Sequence, residues 1–211
     1  MNLANFFTAT RIACAPIFLT FILLPQYVSV NEKVTLAIAA VLFAYLEFTD
    51  FLDGYCARKY RQVSDFGKLF DPFADVIANM SILLVFLLLG YVPVICFVVI
   101  LYREMAILFL RMIARGNGIT IAAKKGGKTK TVCYIIAEAL SLLIHVCVRM
   151  FALQNTPFIT ALVVINKIVY GAAAVLSVLS FFDYLISYRK EKKAACTRDD
   201  AEESPAHDSQ T

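Results

Sequence analysis

Charged residues are scarce in this sequence: Asp, Glu, Lys and Arg make up only 17% of its 211 residues. A soluble domain carries roughly 25%, because its surface must be solvated by water. Hydrophobic residue types make up 60% instead, and the mean hydropathy is +0.73. This composition excludes a disordered chain and argues against a soluble domain. The chain is therefore predicted to be an integral membrane protein.

Paired cysteines and a strong net charge are also lacking. The six cysteines are scattered, and none of them forms a C-x-x-C pair. Their spacing argues against a zinc framework or a disulfide-stapled secreted fold. The net charge of +4 is too small to indicate a nucleic-acid ligand, so we expect no nucleic-acid partner.

Six apolar segments approach the roughly 20 residues that a helix needs to cross the hydrocarbon core. They lie at about 12–30, 34–57, 66–90, 92–113, 132–152 and 160–187. All Lys and Arg residues except Lys33, Arg149 and Lys167 fall on one side of these spans, which is typical of the cytoplasmic side.

The predicted fold is an all-α integral membrane domain. It has six transmembrane helices, both termini in the cytoplasm and a short interfacial N-terminal helix. The membrane domain is expected to cover 1–188. Because 189–211 is polar and of mixed charge, we predict a disordered cytoplasmic tail there.

Four aspartates interrupt the second and third apolar segments. Asp50 and Asp53 are three residues apart, and Asp71 and Asp75 are four apart, so each pair shares one face of its helix. The short polar link between the segments makes the two helices antiparallel neighbours, which brings the four carboxylates together. Four like charges at membrane depth need a compensating cation. Oxygen ligands without His or Cys favour Mg²⁺ or Mn²⁺.

Small residues and an arginine accompany the aspartates. Gly54, Ala57 and Gly67 leave room for a ligand to approach the backbone, and Arg58 is suited to binding phosphate. Together with a hard cation, these features indicate metal-assisted chemistry on a pyrophosphate. The alternative, a set of structural charges at helix ends, accounts poorly for four carboxylates in register.

These residues form the pattern D-x-x-D-G-x-x-A-R, eight residues, G-x-x-x-D-x-x-x-D, between Asp50 and Asp75. The pattern resembles the signature of the CDP-alcohol phosphotransferase family at every fixed position. The resemblance implies an integral membrane enzyme, usually a homodimer, which displaces CMP from a CDP-linked lipid with an alcohol. It also implies one or two Mg²⁺ or Mn²⁺ ions per active site.

The same resemblance implies roles for individual residues. All four aspartates would hold the metal, and Asp75 would also accept a proton during catalysis. The residues expected to bind the CDP moiety are Asp53, Gly54, Arg58, Ser64 and Gly67. Ser64 fits equally well as the N-cap of the third helix.

The signature specifies the donor but not the acceptor alcohol. Asn5, Thr8 and Arg11 recur every three residues near the N-terminus, followed by Pro16. This opening resembles that of the bacterial phosphatidylglycerophosphate synthases, a branch of the family. It predicts a polar stripe on an interfacial helix that contacts the site. The alternative is a first turn whose polar side chains merely reach the membrane surface.

Four further cations are predicted to bind a phosphate on the acceptor. They are Arg103, Arg111, Lys128 and Lys130. The segment Gly-Lys-Thr-Lys-Thr at 127–131 would open the fifth helix, where free N–H groups suit an anion, and it resembles a segment of the same synthases. Two alternatives stay open: the lysines follow from membrane topology alone, and Arg103 forms an internal ion pair with Glu104 or Glu47.

Taken together, the resemblances imply transfer of a phosphatidyl group from CDP-diacylglycerol to glycerol 3-phosphate, with release of CMP. The expected location is the bacterial cytoplasmic (inner) membrane among membrane lipids, with the active site facing the cytoplasm. Within the family, the alternatives are a cardiolipin synthase, a phosphatidylinositol phosphate synthase or a phosphatidylserine synthase. Outside it, a divalent-cation transporter is the remaining alternative, although transporter sites tend to lie at the midplane rather than at one side.

Overall fold

A computed structural model of the chain describes residues 3–60, 67–117, 125–153 and 156–202. Six α-helices account for most of these residues. They are α1 (Leu3–Leu23), α2 (Glu32–Tyr60), α3 (Gly67–Leu88), α4 (Val94–Gly116), α5 (Lys125–Phe151) and α6 (Pro157–Glu202). Some helical residues are described by their backbone alone, namely 3–7, 50–60, 67–69, 71, 125–131 and 194–202. The prediction of an all-helical chain is confirmed for the described residues, and each predicted span coincides with one helix.

Proline and glycine mark several helix boundaries. Pro93 precedes α4 and Pro157 opens α6, where the fixed φ of proline suits a first turn and its missing N–H costs nothing. After α3, Gly90 adopts a φ of +80°, which reverses the chain so that Tyr91 N donates to the Phe86 carbonyl at 2.9 Å.

Within the part of the chain that the structure describes, three stretches are long and apolar enough to cross a membrane: Thr8–Gln26, Val132–Phe151 and Pro157–Lys193. A shorter apolar stretch, Pro72–Leu88, lies in α3. Large apolar side chains on several helices point outward, and Val41, Ile95, Phe109 and Ile168 are 62–70% exposed. Exposed apolar surface on this scale suits lipid rather than water. The chain is an integral membrane protein.

The helices pack into one bundle. Helix α1 lies against α2 and α3, α4 lies against α3 and α6, and α5 lies against α6. Phe18 of α1 joins the first three helices, because its ring centroid lies 6.1 Å from that of Phe43 and 6.3 Å from that of Phe86. Tyr170, fully buried, lies in the same core.

Contacts at one end of the bundle show that α2 runs antiparallel to α3 and α5. Glu32, which begins α2, pairs with Arg149 near the end of α5 at 3.0 Å. Tyr91, which follows α3, places its hydroxyl 3.3 Å from Nδ1 of His145, one turn before Arg149. Helix α2 therefore begins, and α3 and α5 end, on this side. The opposite side, where α2 ends and α3 begins, is called the acidic end below.

Two expectations differ from the structure. The N-terminal segment is not a separate short helix, because α1 runs continuously from Leu3 through Pro16 to Leu23. Helix α6 continues beyond residue 188 to Glu202, and so covers 189–202 of the segment predicted to be disordered; 203–211 lie outside the described residues. Lys, Arg, Glu and Ala dominate that extension and are strong helix formers, and they lengthen a helix that is already nucleated. The domain boundary at 188 stays a prediction.

Candidate active site

The predicted aspartates all belong to helix segments that meet the acidic end. Asp50 and Asp53 lie in the last three turns of α2, and Asp71 and Asp75 lie in the first three turns of α3. Only Asp75 is described with its side chain. The helical register places the members of each pair on one face, as the spacing predicts.

Two contacts from α1 relate the position of α2 along the bundle axis to that of α3. Thr10 Oγ1 lies 3.0 Å from the Tyr45 hydroxyl of α2. The next residue, Arg11, forms an ion pair with Asp75 of α3 through Nη1 and Oδ1. Because Thr10 and Arg11 are consecutive, the two contacts join α2 and α3 to the same turn of α1.

The spread of the acidic positions along the bundle follows from the helical rise of about 1.5 Å per residue. Asp50 and Asp53 lie roughly 8 and 12 Å beyond the level of Tyr45, toward the acidic end. Asp71 lies roughly 6 Å beyond the level of Asp75 in the same direction. Asp50, Asp53 and Asp71 therefore lie closer to the acidic end than the two residues, Tyr45 and Asp75, that α1 contacts.

Arg11 and Asp75 differ sharply in exposure. The Arg11 side chain is 3% exposed, whereas that of Asp75 is 45% exposed. Thr8, one turn before Arg11, is also buried. Thr8 and Arg11 of the N-terminal polar stripe therefore lie between helices. Arg11 contacts Asp75, the predicted proton acceptor, whose carboxylate is still accessible to a ligand.

Arg103 forms the ion pair that the sequence left open as an alternative. Its Nη1 donates to Glu104 Oε1 at 2.8 Å, its Nε to the Ser177 carbonyl at 3.1 Å and its Nη2 to Ser180 Oγ at 3.0 Å. With 7% exposure, Arg103 fastens α4 to α6. Three of its donors already have protein partners, and its binding of an acceptor phosphate stays a prediction.

Arg111 is placed differently from Arg103. Its guanidinium carbon lies 5.8 Å from the centroid of the Tyr184 ring on α6, and the residue is exposed. Lys128 and Lys130 lie in the first two turns of α5, which begins at the acidic end, and they are described by backbone alone. The position of Arg111 leaves its guanidinium accessible to an anion.

Facing polar stripes on α5 and α6 are the feature that the sequence prediction missed. The Tyr134 hydroxyl donates to Ser177 Oγ at 2.7 Å. Ser141 Oγ lies 3.0 Å from the Tyr170 hydroxyl and accepts from Asn166 Nδ2 at 2.8 Å. The signal was present in the sequence, because polar residues recur every three or four positions along α5 and every three, four or seven positions along α6, which keeps each set on one side of its helix.

Buried Glu138 continues the α5 stripe, and it too was missed. It lies within electrostatic reach of Glu47, which is one turn before Asp50. A carboxylate at this depth is uncommon.

The remaining predicted site residues lie where their side chains are not described. Ser64 is outside the described residues, and Gly54, Arg58, Gly67 and Asn5 are described by backbone alone. Among the side chains that are described, no group of three or more His, Cys, Asp or Glu could hold a metal ion. The donor set at the acidic positions is four carboxylates, which fits Mg²⁺ or Mn²⁺, and the half-exposed Asp75 carboxylate agrees with that fit.

Known proteins resemble the chain over nearly its whole length. Residues 1–176 match the CDP-alcohol phosphatidyltransferase family. A CDP-diacylglycerol–glycerol-3-phosphate 3-phosphatidyltransferase of Treponema pallidum is 39% identical over 204 residues, 94% of each chain. The proteins of the same name from Bacillus subtilis and Mycoplasma pneumoniae are 37% and 35% identical, over 68% and 74% of this chain and 77% and 69% of their own.

The matched range, 1–176, contains the aspartate pattern and both helices that carry it. It also contains the N-terminal polar stripe and the start of α5. On this evidence, the chain belongs to the CDP-alcohol phosphatidyltransferase family.

Proposed function

We propose that the chain is a phosphatidylglycerophosphate synthase, which transfers the phosphatidyl group of CDP-diacylglycerol to glycerol 3-phosphate and releases CMP. The observation that carries this proposal is the 39% identity, over 94% of both chains, to a relative named for that reaction. The gathering of four acidic positions at one end of the bundle supports it independently of the relatives.

The donor is proposed to lie partly in the bilayer. Its acyl chains would contact the exposed apolar side chains of the bundle, while its CDP head group enters the acidic end. Asp53, Gly54, Arg58, Ser64 and Gly67 would bind the CDP moiety, with Arg58 on the pyrophosphate.

Asp50, Asp53, Asp71 and Asp75 would hold one or two Mg²⁺ or Mn²⁺ ions. A bound divalent ion supplies positive charge that neutralises the pyrophosphate and the departing CMP. The carboxylates position that charge, and the apolar helices around them limit the access of water.

Asp75 would also accept the proton of the attacking hydroxyl. Its carboxylate is accessible and is oriented by Arg11 on Oδ1. The glycerol oxygen forms a bond to the phosphorus that carries diacylglycerol, the bond from that phosphorus to the CMP oxygen breaks, and CMP leaves with the electron pair. Positioning and charge neutralisation carry the reaction, as in phosphoryl transfer generally.

Arg111, Lys128 and Lys130 would bind the phosphate of the acceptor. Arg103, which was predicted with them, would instead hold α4 and α6 together so that Arg111 is presented beside Tyr184. A phosphate-bearing alcohol would account for a cationic cluster beside the acids.

The membrane arrangement forms part of the proposal. All six helices would cross the bilayer, both termini and the acidic end would face the cytoplasm, and two copies would form a homodimer in the bacterial inner membrane. The concentration of Lys and Arg on one side supports this orientation.

Purified protein in detergent, incubated with CDP-diacylglycerol, Mg²⁺ and labelled glycerol 3-phosphate, tests the function. The label is expected to enter a lipid product while CMP is released in equal amount. Parallel reactions contain serine, inositol phosphate or phosphatidylglycerol. Incorporation of one of these instead of glycerol 3-phosphate would contradict the proposed acceptor.

A further inference from the structure

Arg11 reaches Asp75 from inside the bundle. The guanidinium contacts Oδ1 of a carboxylate whose side chain is 45% exposed, while Arg11 itself is buried. A ligand that reaches the accessible part of this carboxylate therefore meets a group that already contacts a positive charge.

The charge of Arg11 is fixed in place. Ala15 and Phe18, the next residues on the same side of α1, are fully buried, so the arginine lies beside apolar packing. Withdrawal from Asp75 would leave a charged group in this surrounding, which is strongly unfavourable. Arginine in proteins also remains charged, so loss of a proton cannot remove the charge.

We propose that Arg11 and the divalent cation share Asp75, and that Arg11 weakens binding of the cation to the chain alone. This inference rests on the proposed function, which places the cation among the four aspartates. Without the cation, Arg11 offsets part of the repulsion between the acids and fastens α1 to α3. With the cation bound, two positive charges face each other across one carboxylate and repel.

The expected consequence is that the cation and the donor bind together. The chain alone holds the divalent ion weakly, and the negative pyrophosphate raises the affinity by offsetting the charge of Arg11. Arg11 is thus a positioning residue that makes occupancy by the cation depend on the nucleotide.

Titration with Mn²⁺, followed by electron paramagnetic resonance of the full chain in detergent, tests this inference. Arg11→Gln removes the charge but keeps a side chain that can donate to Asp75. We expect this variant to bind Mn²⁺ at least about tenfold more tightly than the wild type. CDP should tighten Mn²⁺ binding in the wild type much more than in Arg11→Gln. Arg11→Lys, which keeps the charge, should bind Mn²⁺ as the wild type does.

Arg149→Met is the matched control. It removes the same charge from the half-exposed pair with Glu32 on the opposite side of the bundle, and it should leave the Mn²⁺ affinity unchanged. Equal or weaker Mn²⁺ binding by Arg11→Gln would overturn the inference.

Thermal unfolding separates this effect from a purely structural one. Arg11→Gln should unfold at a lower temperature than the wild type in EDTA, and Mn²⁺ should raise its Tm by more than it raises that of the wild type. If the role of Arg11 were only structural, Arg11→Gln would lower the Tm by the same amount in EDTA and in Mn²⁺, and this result would also overturn the inference. If the variant does not stay folded in EDTA, protein purified in Mn²⁺ gives the same affinity from release of the ion on dialysis.

Phosphatidyl transfer is measured on the same preparations. If the wild type transfers to glycerol 3-phosphate and Arg11→Gln has the Mn²⁺ affinity of the wild type, only the inference about Arg11 is overturned. Failure of the wild type to transfer to any alcohol refutes the proposed function. The absence of saturable Mn²⁺ binding by the wild type overturns both.

Discussion

Replacing Arg103 with methionine is expected to destabilise the bundle without impairing binding of the acceptor. Arg103 donates three hydrogen bonds, to Glu104, Ser177 and Ser180, at 2.8 to 3.1 Å. Two of these bonds join α4 to α6. Methionine would fill much of the same volume and make none of them.

The size of the expected loss in stability follows from the burial of the ion pair between Arg103 and Glu104. The Glu104 side chain is 13% exposed, and removal of one member of a buried ion pair costs about 3–5 kcal/mol because the charge of the other member is less well compensated. For a chain of this length, each kcal/mol lowers Tm by about 2–4 °C. The variant should therefore unfold on the order of 10 °C below the wild type. Adding Glu104→Gln should recover part of this loss, because the less well compensated charge is then removed as well.

A thiol-reactive fluorescent dye suits the measurement, since the chain has no tryptophan. Cys96 is buried, and Cys133 and Cys147 are partly buried, so they react as the bundle unfolds. The KM for glycerol 3-phosphate, determined below the unfolding temperature, should stay close to that of the wild type.

Arg111→Met provides the contrast. Its cation–π contact with Tyr184 is at an exposed site and contributes only about 0.5–1 kcal/mol, so Tm should change little while the KM for glycerol 3-phosphate rises. The reasoning is refuted if Arg103→Met keeps the wild-type Tm and raises that KM, because Arg103 would then bind the acceptor rather than fasten the helices.

Three further outcomes are expected. Asp75→Asn should abolish CMP release while largely preserving donor binding, and full turnover would remove Asp75 from the proton transfer. Tyr170→Phe loses the 3.0 Å contact with Ser141 and should cost about 1 kcal/mol of stability, seen as a Tm lowered by a few degrees with kcat unchanged; a large fall in kcat would contradict a structural role. EDTA should stop transfer, and Mg²⁺ or Mn²⁺ should restore it, in a release assay for CMP; undiminished activity in EDTA would exclude the carboxylate-bound cation.

The existence and approximate bounds of the six helices could be predicted from the sequence, because an apolar run of about 20 residues is a local property. The continuation of α6 to Glu202 could not. Low hydropathy after residue 188 indicated the end of an apolar run, but a helix ends only where its hydrogen bonding is interrupted, and that polar segment contains good helix formers. The union of the N-terminal segment with the first span in one helix, α1, was not predicted either.

The arrangement of the site was partly predictable. Helical periodicity alone pairs Asp50 with Asp53 and Asp71 with Asp75. The contacts of Arg11 and Arg103 could not be predicted, because their partners are distant in the sequence: Asp75 is 64 residues from Arg11, and Ser177 is 74 residues from Arg103. No local pattern distinguishes an arginine with such a partner from one that is open to a ligand.

The sequence by itself determined that this chain enters a membrane, that it carries four acids in helical register, and that it resembles one enzyme family. These properties depend on composition and on the spacing of neighbouring residues, which a helix converts directly into geometry. Only the tertiary structure decided that Arg11 lies on Asp75 and that Arg103 is enclosed between α4 and α6. A buried charge is stable only beside a partner, and which partner it meets is set by the packing of whole helices against one another.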